Sequence, residues 1–310
     1  MKIKKPVFWD RPKPNIIAKV LYPISIIYGL LLKTRKKNYE KIGKIKTICV
    51  GNIYIGGTGK SSLAIEIKKI LDNQNFKSCF IKKGSPEHLD EIELLKKRGY
   101  AYTENSRLKS LLNAVSDGYD YAIFDDGLHE LDINFDLNIV CFNKKSWIGN
   151  GLLLPAGPLR ENVNNIKNYE IVFFIGNNED TTIYENFLRK KNPKLLFFNA
   201  NYLPTNINEF DLKESYFAFS GIGNHDIFID MLKSFNIKIE ESKEFPDHYS
   251  YTEKDIEKII DKAKNKKLKI LTTEKDMNRI DKKYKDDIQI IYTSLNIRNK
   301  DKFINAINKI

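Results

Sequence analysis

Apolar residues along this chain fall into short β-rich runs that alternate with helical periods. TICV at 47–50 is followed by a helical period over 60–71, SCFI at 78–81, a second helical period near 108–115, then YAIF at 121–124 and LNIVCF at 137–142. Strand and helix in alternation predict an α/β protein with a doubly wound, mainly parallel sheet. IVFFI at 171–175 and LLFF at 195–198 extend the strand count. A second block opens near Phe210, with YFAFS at 216–220, helices over 225–235 and 253–263, LKILTT at 268–273, IQIIYT at 288–293 and a closing helix from Asp301. Between the blocks, LPTNINE at 203–209 gathers Pro, Asn and polar residues without apolar period, so a core over 41–205 and a smaller C-terminal α/β domain over 206–310 are expected.

The first forty residues form a third pattern. Residues 16–32 read IIAKVLYPISIIYGLLL, interrupted by Lys19 and Pro23; Lys2, Lys4, Lys5, Arg11 and Lys13 precede the stretch, and Lys33, Arg35, Lys36 and Lys37 follow it. At 1.5 Å rise it covers ~25 Å, short of the ~30 Å hydrocarbon core, and Pro23 removes a helix hydrogen bond. A helix lying on a membrane surface is therefore expected over 1–40, its apolar face at the acyl boundary and its basic flanks on anionic head groups. Packing on the domain behind it would use the same face. Pro6-Val7-Phe8-Trp9 adds an aromatic pair suited to either role.

Composition narrows the partners. The chain has 310 residues, 42% hydrophobic and 30% charged, which excludes disordered and fibrous classes and leaves room for two cores. A net charge of +12 favours anionic partners. The lysines are interspersed with acidic residues, as in KDIEKIIDKAKNKK at 254–267, with no aromatic stacking array, so no nucleic acid is expected among them. The three cysteines, Cys49, Cys79 and Cys141, sit in apolar runs without metal-ligand spacing, which points to a reducing, cytosol-facing compartment.

The chemistry is concentrated in one loop. Cys49-Val50 ends a strand and GGTGKSS at 56–62 opens a helix, the context of a phosphate-binding loop. Gly56, Gly57, Thr58 and Gly59 let successive backbone N–H groups face one anion, with Ser62 in the helix start behind them. Lys60 reaches the terminal phosphates, and Ser61 offers its hydroxyl to Mg²⁺. The strict GxxxxGK[ST] pattern fails at Tyr54. YAIF then ends in Asp125-Asp126-Gly127, where a strand end presents an acidic residue to a P-loop metal. Adjacent aspartates face different sides of a strand, and either Asp125 or Asp126 fits that role. KILTTEKD at 269–276 ends like a guanine-reading motif with its lysine misplaced, so a guanine reader is not supported. Asp247-His248, in FPDHY at 245–249, puts a carboxylate before an imidazole in a turn. These residues alone describe a P-loop transferase, or a soluble NTPase acting as a switch or assembly factor; the apolar N-terminus speaks against the latter.

Phe8-Trp9, GNIYIGGTGKSS at 51–62, FDDGLHE at 124–130, GNGLLLPAGPLRE at 149–161, SGIGNHDIF at 220–228, FPDHYSY at 245–251 and TEKD at 273–276 occur in one order along the chain. Together they resemble the tetraacyldisaccharide 4′-kinases of lipid A biosynthesis. The resemblance implies transfer of the ATP γ-phosphate to the 4′-hydroxyl of an acylated glucosamine disaccharide 1-phosphate, with Mg²⁺, at the cytoplasmic face of the inner membrane. It also implies a P-loop domain joined to a smaller C-terminal domain, and a membrane-seated N-terminal helix. The family's GDEPxLL aspartate corresponds to Asp90 in HLDEIELL at 88–95, with Leu89 and Ile92 at the flanking Gly and Pro. Paired with His248, Asp90 inherits activation of the hydroxyl. Arg160 and Glu161 match the PLRE end and, with Asn150 and Asp247, are expected to help hold phosphates, substrate or metal. The family's SRGY corresponds to Lys82-Lys83-Gly84-Ser85, and its Gln after DDGL to His129.

Overall fold

Strand β1 (Lys46–Gly51) is buried from Thr47 onward because it runs through the middle of a sheet covered on both faces. The computed structural model describes residues 5–34, 42–86, 89–177 and 180–310. Within these the chain divides into two units, Lys5–Ala200 with Ile297–Ile310, and Asn201–Asn296.

In the first unit β1 is joined by β2 (Ser78–Ile81), β3 (Ala101–Tyr102), β4 (Tyr121–Asp125), β5 (Leu137–Asn143), β6 (Ile171–Ile175) and β7 (Leu196–Pro204). With β12 (Thr293–Ile297) on the far edge, the sheet order is β12-β7-β6-β5-β1-β4-β2-β3, and every pairing from β7 to β3 is parallel. The helices of this unit are α1 (Ile16–Lys33), α2 (Lys60–Asn73), α3 (Leu89–Lys96), α4 (Arg107–Ser116), α5 (Thr182–Arg189) and α9 (Lys300–Ile307). The doubly wound parallel sheet expected from the alternation is thus present. Val50 is in register with Asp125, so the loop after β1 and the acidic end of β4 leave the sheet side by side at its carboxyl edge.

The expected boundaries at 40/41 and 205/206 do not coincide with these units. Helix α9 returns to the first unit because Phe303, fully buried, packs edge-on against Phe173 and Phe198 of that sheet. Truncation to Phe303→Ala is expected to cost about 3 kcal/mol, read as a lower chemical-denaturation midpoint with an unchanged slope.

Helix α1 also belongs to this unit. Pro23 is accommodated inside it, and Asn15 caps its start by accepting from Ala18 N at 2.9 Å. One face is fastened to the segment after β5: Ser25 Oγ donates to the Leu153 carbonyl and accepts from Ala156 N, both at 2.9 Å, and Tyr28 Oη donates to the Arg160 carbonyl at 2.9 Å. The opposite side keeps Ile16, Val20, Ile27 and Leu31 exposed. By length and composition α1 is apolar enough to cross a membrane. The basic flank at Lys2, Lys4, Arg35, Lys36 and Lys37 lies outside the described residues.

The second unit holds a four-stranded sheet in the order β11-β10-β8-β9, all parallel, from β8 (Ser215–Ser220), β9 (Lys238–Glu244), β10 (Lys269–Thr273) and β11 (Ile288–Ile291). Helices α6 (His225–Ser234), α7 (Glu253–Asn265) and the short α8 (Glu274–Met277) complete it. Strand β9, KIEESKE, has no apolar run because it is a charged edge strand, and the hydrophobic pattern missed it for that reason.

Candidate active site

The loop between β1 and α2 is built around Asn52, which is fully buried. Its Nδ2 donates to the Gly56 carbonyl at 3.1 Å and to Thr58 Oγ1 at 3.0 Å, folding the glycine-rich turn back on itself. Gly59 takes φ +80°, a left-handed conformation that L side chains rarely adopt, and so forms the cap of α2 without a side-chain acceptor. Gly57, Lys60, Ser61 and Ser62 follow in the loop and first helical turn. That turn, opening off a buried strand, carries the partial positive charge that receives an anion.

The two aspartates after β4 separate. Asp125, fully buried, accepts from Ser61 Oγ at 2.8 Å and from Lys82 Nζ at 2.7 Å, both on Oδ2. Its Oδ1 is buried with no hydrogen-bond partner among the described residues. Asp126 stands at φ +65° with its N–H donating to the Val50 carbonyl at 2.8 Å, which turns its carboxylate away to Arg160 Nη1 at 2.9 Å. Burial would raise the Asp126 pKa, but Lys60 and Arg160 outweigh it and hold the carboxyl well below the usual range. Asp126 is therefore an ionised carboxylate among cations, with Arg160 as its direct partner. Arg160 Nη1 also donates to Asn52 Oδ1 at 3.0 Å, so the PLRE segment grips the phosphate loop directly.

The neighbouring residues divide between facing the loop and bracing it. Glu161 accepts from Tyr169 Oη and, at 3.1 Å, from Asn165 Nδ2. His129 Nδ1 is 4.0 Å from Glu161; burial first and Arg160 second lower its pKa, leaving a neutral imidazole at neutral pH. Asn150, expected at the substrate or phosphates, instead turns into its own loop, donating to the Ala156 carbonyl at 2.9 Å and accepting from Leu152 N at 3.1 Å. Its amide braces the 150–157 turn. Trp9 Nε1 donates to the Pro155 carbonyl at 3.0 Å, so Phe8-Trp9, α1 and the 149–161 segment form one assembly ending at Arg160. Asp90 is buried in the first turn of α3, and its neighbour Glu91 meets Lys82 at 2.7 Å. His88 of the same string lies outside the described residues.

In the second unit three of the quoted strings meet on Asp276, fully buried. It accepts from Gly221 N at 2.8 Å, Tyr251 Oη at 2.7 Å, Thr273 Oγ1 at 2.6 Å and Arg279 Nη2 at 2.6 Å. The TEKD aspartate is thus a structural hub that fixes the turn carrying Asp247 and His248. His248 adopts φ +56°, its N–H donates to the Gly221 carbonyl at 3.0 Å, and its Nε2 lies 3.8 Å from Asp247 Oδ1.

His225 at the start of α6 shares a 2.7 Å hydrogen bond with Ser220 Oγ. Burial lowers its pKa below 6.5, against the opposing pull of Glu244, Asp226 and Asp276. The folded protein therefore holds it neutral. Its stabilising contribution is complete above pH 6.5 and declines as pH falls from there towards the depressed folded value. The denaturation midpoint is expected to drop more between pH 7.5 and 5.5 for wild type than for His225→Gln; equal drops would contradict this.

A family model described as tetraacyldisaccharide-1-P 4′-kinase matches residues 17–101 and 86–310. The tetraacyldisaccharide 4′-kinase of Pelagibacter ubique (strain HTCC1062) is 49% identical over 310 residues, covering 100% of this chain and 99% of the relative. The chain belongs to the tetraacyldisaccharide 4′-kinase family. The Rickettsia conorii tetraacyldisaccharide 4′-kinase is 34% identical over 296 residues, 89% of each chain. The crystal structure of LpxK from Aquifex aeolicus in complex with ATP is similar in fold, with a TM-score of 0.67, 21% identity, and coverage of 95% of this chain and 99% of that one. In this 4′-kinase family member the residues that residue-by-residue reading passed over are Asn52, Lys82 and Arg107. Arg107 pairs with Glu130 and donates to the Asp126 carbonyl at 2.6 Å. Each is a single polar residue with no repeating spacing to mark it.

Proposed function

We propose that this chain transfers the γ-phosphate of ATP to the 4′-hydroxyl of a tetraacyldisaccharide 1-phosphate, a kinase step of lipid A biosynthesis. The observation that carries this reading is the 49% identity to a named 4′-kinase across the full chain. The phosphate loop backed by Ser61, Asp125 and Asp126 supplies the machinery that such a transfer needs.

In this mechanism the backbone from Gly56 to Ser61 cradles the β- and γ-phosphates, and Lys60 neutralises charge on the transferring group. Arg160, held by Asp126 and Asn52, borders the loop and adds a second cation. Among the described residues no three His, Cys, Asp or Glu side chains are grouped to cage a metal. Mg²⁺ in nucleotide sites takes few protein ligands beside phosphates, and the orphaned Asp125 Oδ1 next to Ser61 fits that donor set. Ser61 and Asp125 would hold it, and when bound it would neutralise phosphate charge. Asp126, committed to Arg160, keeps that arginine in place instead. Asp90 accepts the proton of the acceptor hydroxyl, and His248 keeps the auxiliary role that the family string assigns it.

The acceptor is a lipid, and the exposed apolar side of α1 suits a membrane surface at the cytoplasmic face of the inner membrane. Transfer of labelled γ-phosphate from ATP to a tetraacyldisaccharide 1-phosphate in detergent micelles tests the reading. A labelled lipid product is expected. ATP turnover with no lipid product would reject it in favour of an acceptor-independent NTPase.

A further inference from the structure

We propose that Lys82 is a positioning residue, which holds Asp125 in the orientation a divalent cation requires and ties it to α3, the helix that carries Asp90. The inference rests on the kinase reading above and deepens it. Lys82 Nζ lies 2.7 Å from Asp125 Oδ2 and 2.7 Å from Glu91 Oε2, and its side chain is only 4% exposed. One ammonium therefore stands between a fully buried carboxylate, Asp125, and a partly buried one, Glu91.

The consequence falls on Asp125. With Ser61 Oγ and Lys82 Nζ both on Oδ2, the carboxylate is pinned, and Oδ1 is the oxygen left for a ligand. The pin sits just beyond the end of β2, and Glu91 is next to Asp90 in the first turn of α3. A single side chain so links the carboxylate beside the phosphate loop to the helix bearing the proposed proton acceptor. This is a property of the chain itself, since the resemblance sets the serine of SRGY at position 82. A serine hydroxyl is too short to reach both carboxylates and brings no charge. Removing Lys82 leaves the buried Asp125 carboxylate with only the neutral Ser61 hydroxyl on Oδ2, and Asp125 loses the charged contact that fixes its rotamer.

The test is calorimetric titration of the full chain with a non-hydrolysable ATP analogue over a series of free Mg²⁺ concentrations, without lipid. Lys82→Met is expected to raise the Mg²⁺ needed for half-maximal nucleotide binding about tenfold, and to change Mg²⁺-free binding less than about twofold. Lys82→Arg, which retains the charge, is expected to recover most of the loss. Lys82→Gln keeps one donor for Asp125 and is read in the same way if the methionine variant does not fold, with a rise of about threefold expected. Glu91→Gln leaves Lys82 on Asp125; its Mg²⁺ requirement is expected within about twofold of wild type, while kcat rather than KM for the lipid acceptor falls. A folded Lys82→Met or Lys82→Gln protein with the wild-type Mg²⁺ requirement overturns the proposal and makes Lys82 a structural ion pair, as does Glu91→Gln with unaltered kcat for the tie to α3. The calorimetry uses no acceptor, so a wild-type protein that binds Mg²⁺ and nucleotide normally but yields no lipid product counts against the kinase reading alone.

Discussion

Lys60→Ala is expected to lower kcat/KM for phosphoryl transfer by roughly 10³–10⁴-fold, the largest effect of any single substitution in this chain. The transition state of phosphoryl transfer spreads charge over the equatorial oxygens, and little covalent work falls to the protein. A cation fixed at the head of a helix therefore carries much of the rate. Lys60 is the first residue of α2, directly after the left-handed Gly59, and its charge is felt by Asp126. The loss is double: one phosphate partner disappears, and with it goes the cation that contributes most to holding Asp126 ionised. Thermal stability should change little, because α2 keeps its buried face through Leu63, Ala64, Ile67 and Leu71. Initial-rate kinetics with saturating lipid acceptor measure the effect, and activity within tenfold of wild type would remove Lys60 from the mechanism.

Asp90→Asn is expected to lower kcat roughly 10³-fold while nucleotide affinity stays within about twofold of wild type. The substitution conserves volume and removes only the capacity to accept a proton. Asp90 is buried in the first turn of α3. The split between the two constants matters: binding of ATP draws on the loop at 56–62, and Asp90 is not part of that loop. A fall in nucleotide affinity that matches the fall in kcat would mean that Asp90 supports the fold of the site rather than the proton transfer.

Much of this site was legible in the sequence, for a reason particular to P-loops. The strand, the glycines and the helix start are contiguous, so GGTGKSS announces its own geometry, and YAIF followed by Asp125-Asp126 does the same for the acidic strand end. Choosing between the two aspartates was out of reach, because the choice depends on the left-handed backbone at Asp126 and on Arg160, which comes 34 residues later. Lys82 was visible only as a departure from a family string, since its partners at positions 91 and 125 share no period with it. Asn150 sits in a family string, and the contacts of its amide with Leu152 and Ala156 lie within its own turn. The misplaced lysine of TEKD already spoke against guanine reading, and Asp276 serves a local network whose members come from three segments of the second unit. Hydrophobic periodicity located most strands and failed at β9, where an edge position removes the need for apolar side chains.

The return of residues 297–310 to the sheet of the first unit sets an order on biosynthesis. Phe303 and Ile307 leave the ribosome after the whole of Asn201–Asn296, and both are fully buried in the unit that contains the phosphate loop. The segment from Asn201 to Asn296 can therefore finish folding while its neighbour still waits for part of its core. Until residues 297–310 are made, the unit with the phosphate loop lacks the ring that packs on Phe173 and Phe198, and this apolar surface is the one on which a chaperone would be expected to act.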